Sequence, residues 1–226
     1  MSIAFLGDVH ANFYQLKKII AKLPEDVTSV IQVGDFGFYP HTRGFYEKSP
    51  LRKDPKFFFI DGNHDHNLKL QECKEITEVW TNAHFVPRGT VLELEGHRIA
   101  CLGGASSVDK AWRQPGYDWF SCEVIRQSEA ELFDNVSNID VMVAHTWPQS
   151  MSKDLLDPKV LVEFFGLSKN WIDPSAQYVE DVWKKLGKPT MVCGHMHKSV
   201  QWESVRALDI NEVVILREDG LYVNKS

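Results

Sequence analysis

The chain of 226 residues carries 25 Lys and Arg against 31 Asp and Glu, a net charge of −6. That balance argues against a general grip on duplex nucleic acid, which relies on many cationic contacts to phosphate. It leaves room for a phosphate ligand whose charge is met by bound metal ions.

A pattern recurs along the chain, in which a short apolar run is followed by Gly, Asp, Asn or His. It occurs first in "SIAFLGDVH" and again in "SVIQVGDFG". Between them, "NFYQLKKIIAKLP" places Phe13, Leu16, Ile19, Ile20 and Leu23 at helical spacing, and Pro24 ends the pattern. This predicts a strand–helix–strand unit. "KFFFIDGNHD" predicts a third strand, and "TVLELEGHRIACLGG" alternates around Gly96 as a hairpin. "VIRQSEAELFDNV" reads as a helix leading to the strand "DVMVAHTWP". Two helices, "DPKVLVEFFGLSK" and "PSAQYVEDVWKKLG", then lead to the strand "TMVCGHMH". The tail reads as antiparallel strands with a turn at Asp219-Gly220. Hydrophobic residues make up 43% of the chain, enough for a sizeable core. The expectation is an α/β fold with mixed sheets and helices outside. It forms one domain over residues 1–226, with a helical insert at about 150–188.

In such folds, polar residues just past strand ends line the ligand crevice. Five motif ends then converge. Asp8 and His10 form an Asp-x-His, and His195 and His197 form a His-x-His, each pair projecting to one side of an extended backbone. Asp35 sits in "GDFG", Asn63, His64 and Asp65 in "GNHD", and His145 follows "VMVA". Oxygen and imidazole donors together suit Mn, Fe, Zn, Co or Ni. One carboxylate can bridge two ions, and two ions about 3.5–4 Å apart clamp a phosphoryl oxygen and generate a nucleophilic hydroxide. Each motif taken singly is also ordinary turn chemistry; their number and order favour a metal site.

The ordered blocks "GDVH", "GDFG", "GNHD", the lone His145 and "GHMH" resemble the calcineurin-like metallophosphoesterase superfamily, over residues 5 to 197. The resemblance implies a four-layer αββα sandwich of two mixed sheets flanked by helices, with a dinuclear site at the sheet edges. It implies two divalent cations, Mn first among the candidates. Asp8, His10 and His197 would hold one, Asn63, His145 and His195 the other, and Asp35 would bridge them. It further implies hydrolysis by a metal-bridging hydroxide, with His64 assisting the leaving group and Asp65 holding the His64 ring.

The substrate is less legible. The phosphoprotein phosphatase branch continues its second motif with a Val-Asp-Arg-Gly-like segment, where this chain reads "GDFGFYPH". "AHTWP", with Trp147 and Pro148 but with a departure at Thr146, is similar to the RNA lariat-debranching branch. Acidic charge without a long basic stretch favours a phosphodiester of a small nucleotide or a nucleic-acid end. A phosphomonoesterase or protein phosphatase, and a metal-binding scaffold without turnover, are the alternatives. The segment "SSVDKAWRQPGYDWF" holds the candidate substrate contacts Lys110, Trp112, Arg113 and Trp119, through stacking and phosphate pairing. The same tryptophans could instead roof the core. Arg88 and Asp61 read as a turn cation at the surface and a loop carboxylate.

Cys73, Cys101, Cys122 and Cys193 show no C-x-x-C spacing, which argues against a cysteine-based zinc site and reads as free thiols in a reducing cytosol. With no basic n-region at "MSIAFLGDVH" and no apolar run of about 18 residues, the expectation is a soluble cytoplasmic protein without an obligate protein partner.

Overall fold

The computed structural model describes residues 1–218 and 220–223; Asp219, the first residue of the expected tail turn, lies outside them. The expected opening unit forms as β1 (Ser2–Leu6), α1 (Phe13–Lys22) and β2 (Val27–Gln32). Asn12 caps α1 by accepting a hydrogen bond from the Gln15 N–H at 3.2 Å. Leu23 turns to an extended conformation ahead of Pro24, whose ring disfavours a helical predecessor. Next come α2 (Arg43–Glu47), β3 (Lys56–Phe59), α3 (Asn67–Leu70), β4 (Thr77–Trp80) and β5 (Ala83–Phe85). The hairpin is β6 (Thr90–Leu94) with β7 (His97–Leu102).

The helix expected over "VIRQSEAELFDNV" is shorter. Only α4 (Gln127–Ala130) is α-helical, and Glu131–Phe133 tightens to a 3-10 turn as bonding shifts to i+3 partners. β8 (Val141–Ala144) precedes the segment expected to be an insert, where three helices form instead of two: α5 (Gln149–Leu155), α6 (Pro158–Glu163) and α7 (Pro174–Lys185). Asp157 and Asp173 cap the latter two, each followed by Pro in the first turn, where its missing N–H costs nothing. Then follow β9 (Thr190–Cys193), β10 (Val200–Trp202), β11 (Val205–Ala207), β12 (Val213–Arg217) and β13 (Gly220–Val223).

Among the described residues the strands form two mixed sheets, in the orders β13-β12-β1-β2-β3-β5-β4 and β10-β11-β9-β8-β7-β6. Alternation along the strands builds the layers. In β1, Ile3 and Phe5 meet Ile99, Val143 and Val192 of the second sheet in the core between the sheets. Ala4 and Leu6 face the opposite way, onto Phe13 and Leu16 of α1. The outer face of the second sheet packs Ala100, Met142 and Met191 against Met151 of α5 and Val179, Val182 and Trp183 of α7. The result is the expected layering of helices, sheet, sheet and helices. All four cysteines are free thiols. Among the described residues no helix is long and apolar enough to cross a membrane.

Strands β1, β2 and β3 run parallel in one sheet, and β7, β8 and β9 run parallel in the other. The loops after β1, β2, β3, β8 and β9 carry all the motif residues, and they converge where the two sheets meet.

Candidate metal centre

The converging loops are knit together by their own polar groups. The Val9 and His10 N–H groups donate to the Asp35 carbonyl at 3.1 and 2.8 Å. His64 N–H donates to Asp35 Oδ1 at 2.6 Å, and His195 N–H to the Asp8 carboxylate at 3.2 Å. Gly194 N–H closes the ring onto the His145 carbonyl at 2.9 Å. His10, Asp35, His195 and His197 all sit at left-handed φ, between 47° and 69°. That conformation is uncommon for side-chain-bearing residues and persists where surrounding bonds enforce it. At Gly62 the backbone runs so close that a Cβ would lie 2.1 Å from Asp35 Oδ1, so no larger residue fits there.

Two groups of donor atoms result. Asp8, His10, Asp35 and His197 form one, and Asp35, His145 and His195 the other, with the atoms of each group within 4.8 Å of one another. Asp35 belongs to both. In the first group, His197 Nε2 lies 3.1 Å from Asp8 Oδ2 and 2.9 Å from His10 Nε2. His10 Nε2 lies 3.7 Å from Asp35 Oδ2. In the second, His145 Nε2 lies 3.3 Å from Asp35 Oδ1 and 3.2 Å from Asn63 Oδ1. The Val33 carbonyl accepts from His145 Nδ1 at 2.8 Å, which fixes that tautomer and turns Nε2 toward the group. Asn63 Nδ2 donates to Ser107 Oγ at 3.3 Å, so its oxygen faces inward as well. The structure therefore brings together all seven residues expected as ligands.

These residues fit a pair of cations. Asp8 and Asp35 are buried carboxylates at the junction of the two sheets. Asp35 Oδ2 and His195 Nε2 are buried without a hydrogen-bond partner, a cost that folded proteins ordinarily avoid. The mixed oxygen and imidazole set is the kind that first-row divalent ions take. Burial pushes the Asp35 carboxyl up, but the imidazoles of His145, His64 and His10 outweigh it and hold the group well below the usual range. His145 behaves inversely: burial disfavours its charge, yet Asp35 and Asp8 raise it to about 10. Burial first, and the neighbouring His145 second, hold His195 well below the usual imidazole range, so it stays neutral, the form that binds a metal.

His64 stands at the mouth of the site, its side chain one-third exposed, with its ring 4.9 Å from that of His10. The expectation that Asp65 holds this ring does not survive. Asp65 is fully buried and accepts from the N–H groups of Gly37, Phe38 and Gly62 at 2.8–2.9 Å and from Phe36 at 3.3 Å. It fastens the second motif loop to the third. Burial, then the nearby Asp35 charge, raises its carboxyl to about 7. The carboxylate facing His64 Nε2, at 3.5 Å, belongs to Asp109.

The segment expected to hold substrate contacts is largely spent on itself. The Arg113 side chain is buried and donates to the Asn63 carbonyl, Ser107 Oγ and Tyr39 Oη at 2.7–3.0 Å, and to the Asp118 carbonyl. Its guanidinium braces the ligand Asn63 and has no free fork for a phosphate. Trp119 donates to Glu123 at 3.0 Å, and Lys110 lies over its ring at 4.1 Å. Trp112 differs: it is exposed and lines a cleft beside the motif residues.

Sequence reasoning missed two further groups. Asp173, at the start of α7, is fully buried, with Oδ2 unpartnered and 3.8 Å from the unpartnered Nε2 of His195. Arg88 is not at the surface. It is buried, pairs with Asp61 at 2.6 Å and Glu129 at 3.1 Å, and donates to the carbonyls of Cys122, Glu123 and Val124. A Cβ at Gly104 would lie 2.6 Å from its Nη2, so the Gly103-Gly104 turn, noticeable in the sequence, marks the space this cation fills. Asp61 is thus one partner in a buried ion trio.

The fold and the shared carboxylate together define a metal-dependent phosphoester hydrolase. The family model for calcineurin-like phosphoesterases matches residues 1–199, and the chain belongs to that superfamily. No curated protein matches the chain.

Proposed function

We propose that this protein hydrolyses phosphodiesters of a small nucleotide or of a nucleic-acid end. The observation that carries the reading is Asp35, common to two donor groups at the meeting of the two sheets. Asp8, His10, Asp35 and His197 would hold one divalent cation, and Asp35, Asn63, His145 and His195 the other, with Mn first among the candidates. When bound, such a pair neutralises charge on the phosphoryl oxygens and lowers the pKa of a water to near neutral.

The remaining work falls to the chain. His64 reaches the mouth of the site and donates a proton to the leaving-group oxygen. Asp109 keeps the His64 ring turned toward substrate. Asp65 and Arg113 hold the loops that present His64 and Asn63, so the donors need no rearrangement when charge develops. Asp173 Oδ2 lies 3.8 Å from His195 Nε2, beyond hydrogen-bond reach, and acts on that ring as a nearby carboxylate. The preference for diesters rests on the "AHTWP" likeness. Trp147 and Thr146 are buried there, so the likeness speaks to the shape of the site and not to a substrate contact.

The test is turnover of bis-p-nitrophenyl phosphate against p-nitrophenyl phosphate with Mn supplied, alongside metal counting in the wild type and in Asp35→Asn. Diester hydrolysis with two ions per chain, both lost in the variant, is the expected result. Monoester preference would replace the diester reading, and two bound ions with silence on both esters would point to a non-catalytic metal-binding protein.

A further inference from the structure

We propose that the insert builds a subsite for one flat, uncharged ring carried on a single phosphate, and that this subsite selects the substrate. This deepens the phosphoester reading and rests on it for the position of the phosphate.

A cleft of about 480 Å³ opens beside the motif residues, with Asp35, Asn63, His64, His195 and His197 in its floor. That size suits a nucleoside-sized organic group rather than a strand. One wall comes from the insert: Leu155, Leu156, Val160, Leu161 and Phe165. Val108 and Trp112 form the other, and the Trp112 and Phe165 rings approach to 5.7 Å at 35°, closing one end. Trp112 is 63% exposed and Val160 50% exposed. Apolar surface left open beside polar catalytic groups is the usual anatomy of a ligand site.

Charge decides which ligand. The lining carboxylates Asp109 and Asp157 would repel a second phosphate, and Lys198 is the cation among the described lining residues. A single strand needs a basic groove that tracks its backbone, and Arg113, the nearest such candidate in the sequence, is consumed internally. The cleft therefore favours one phosphate on the motif residues and one ring between Trp112 and the insert. A nucleobase and a simple aryl group share that chemistry.

The test uses hexafluoroisopropyl diesters, whose leaving group carries no ring, with methyl, phenyl, 5′-thymidyl or dinucleotide as the second substituent. Binding of phenylphosphonate and methylphosphonate to the Mn-loaded protein is measured in parallel by calorimetry. The phenyl ester should exceed the methyl ester in kcat/KM by about tenfold or more, as expected for burying one ring. The phosphonates should differ in Kd in the same sense. Val160→Asp, at a half-exposed position that tolerates a polar residue, should bring both ratios close to one. Val162→Ala, on the same helix but outside the cleft wall, should keep them. A thymidyl ester at or above the phenyl ester identifies the ring as a nucleobase, and a phenyl ester well above it identifies a simple aryl group. Turnover without a phenyl preference would overturn the subsite while leaving hydrolysis standing. Ring-selective phosphonate binding without turnover would keep the subsite and overturn hydrolysis. A dinucleotide ester well above both single-ring esters would overturn the single-phosphate claim.

Discussion

The floor and the insert wall of the cleft are built on opposite plans. The floor consists of five loops held by backbone bonds to one another's side chains, with left-handed residues at four motif positions and a glycine where no Cβ fits. The wall consists of short helices, α5 and α6, whose apolar side chains meet open space at Val160, with the exposed Trp112 opposite. A floor of this kind can serve any phosphoester, because phosphorus and its oxygens are common to all of them. Selectivity then has to come from the wall. Chemistry is fixed by buried hydrogen bonds, and specificity is left to a surface that can change without disturbing them.

The strongest way to break this contrast is at the floor. Asp35→Asn should lower turnover at least about 10³-fold, because both cations lose a shared anionic ligand. Metal counting should show fewer than two ions per chain, with the fold retained by circular dichroism.

Next in size is the support beneath the floor. Arg88→Met should cost about 3–5 kcal/mol in urea unfolding, since it leaves Asp61 buried and unpaired. That loss would show the loops to be braced from outside the motifs. His64→Asn comes third: about 10²-fold or more for a diester with an alkoxide leaving group, and much less for p-nitrophenolate, which needs no proton. Asp109→Asn should follow the same leaving-group pattern with a smaller loss, whereas Asp65→Asn should lower stability and all substrates alike. Measuring a leaving-group series separates the two carboxylates.

Asp173→Asn should weaken Mn binding by calorimetry, by up to about 10-fold, because the carboxylate charge 3.8 Å from His195 Nε2 is lost while Asn still caps α7. Smallest is a pH effect. Burial opposes the Glu129 charge, but Arg88 and Arg126 outweigh it and hold its carboxyl below the ordinary 4.5. Its contribution to stability is thus present above about pH 4.5 and lost as pH falls through the lowered value. Glu129→Gln should be less stable than wild type at neutral pH, with the difference shrinking on acidification.

Much of the floor was legible in the sequence because strand ends in such folds bring polar residues to one edge. Asp8, His10, Asp35, Asn63, His145, His195 and His197 each end an apolar run, so local pattern and global topology agree at those positions. Legibility failed where a side chain's partner lies far along the chain. Asp65 follows His64 directly, yet the turn sends its carboxylate back to four backbone N–H groups. Asp109, 45 residues beyond His64, takes the place beside the ring. Arg113 carries the right charge in the right segment, but its donors are satisfied before any ligand arrives.

By itself, then, the sequence determined most of the strands, a mixed α/β fold with helices outside and the seven donors at strand ends, because each is written in periodicity and strand-end chemistry within a few residues; the four-layer arrangement followed from the family resemblance, and β4 and β5 carried no such signal. Only the tertiary structure decided that Arg88 and Asp61 form a buried pair, that Asp173 lies beside His195, and that α5 and α6 face Trp112 across a cleft. Those are contacts between segments tens of residues apart, and their energies depend on burial and distance, which no local pattern encodes.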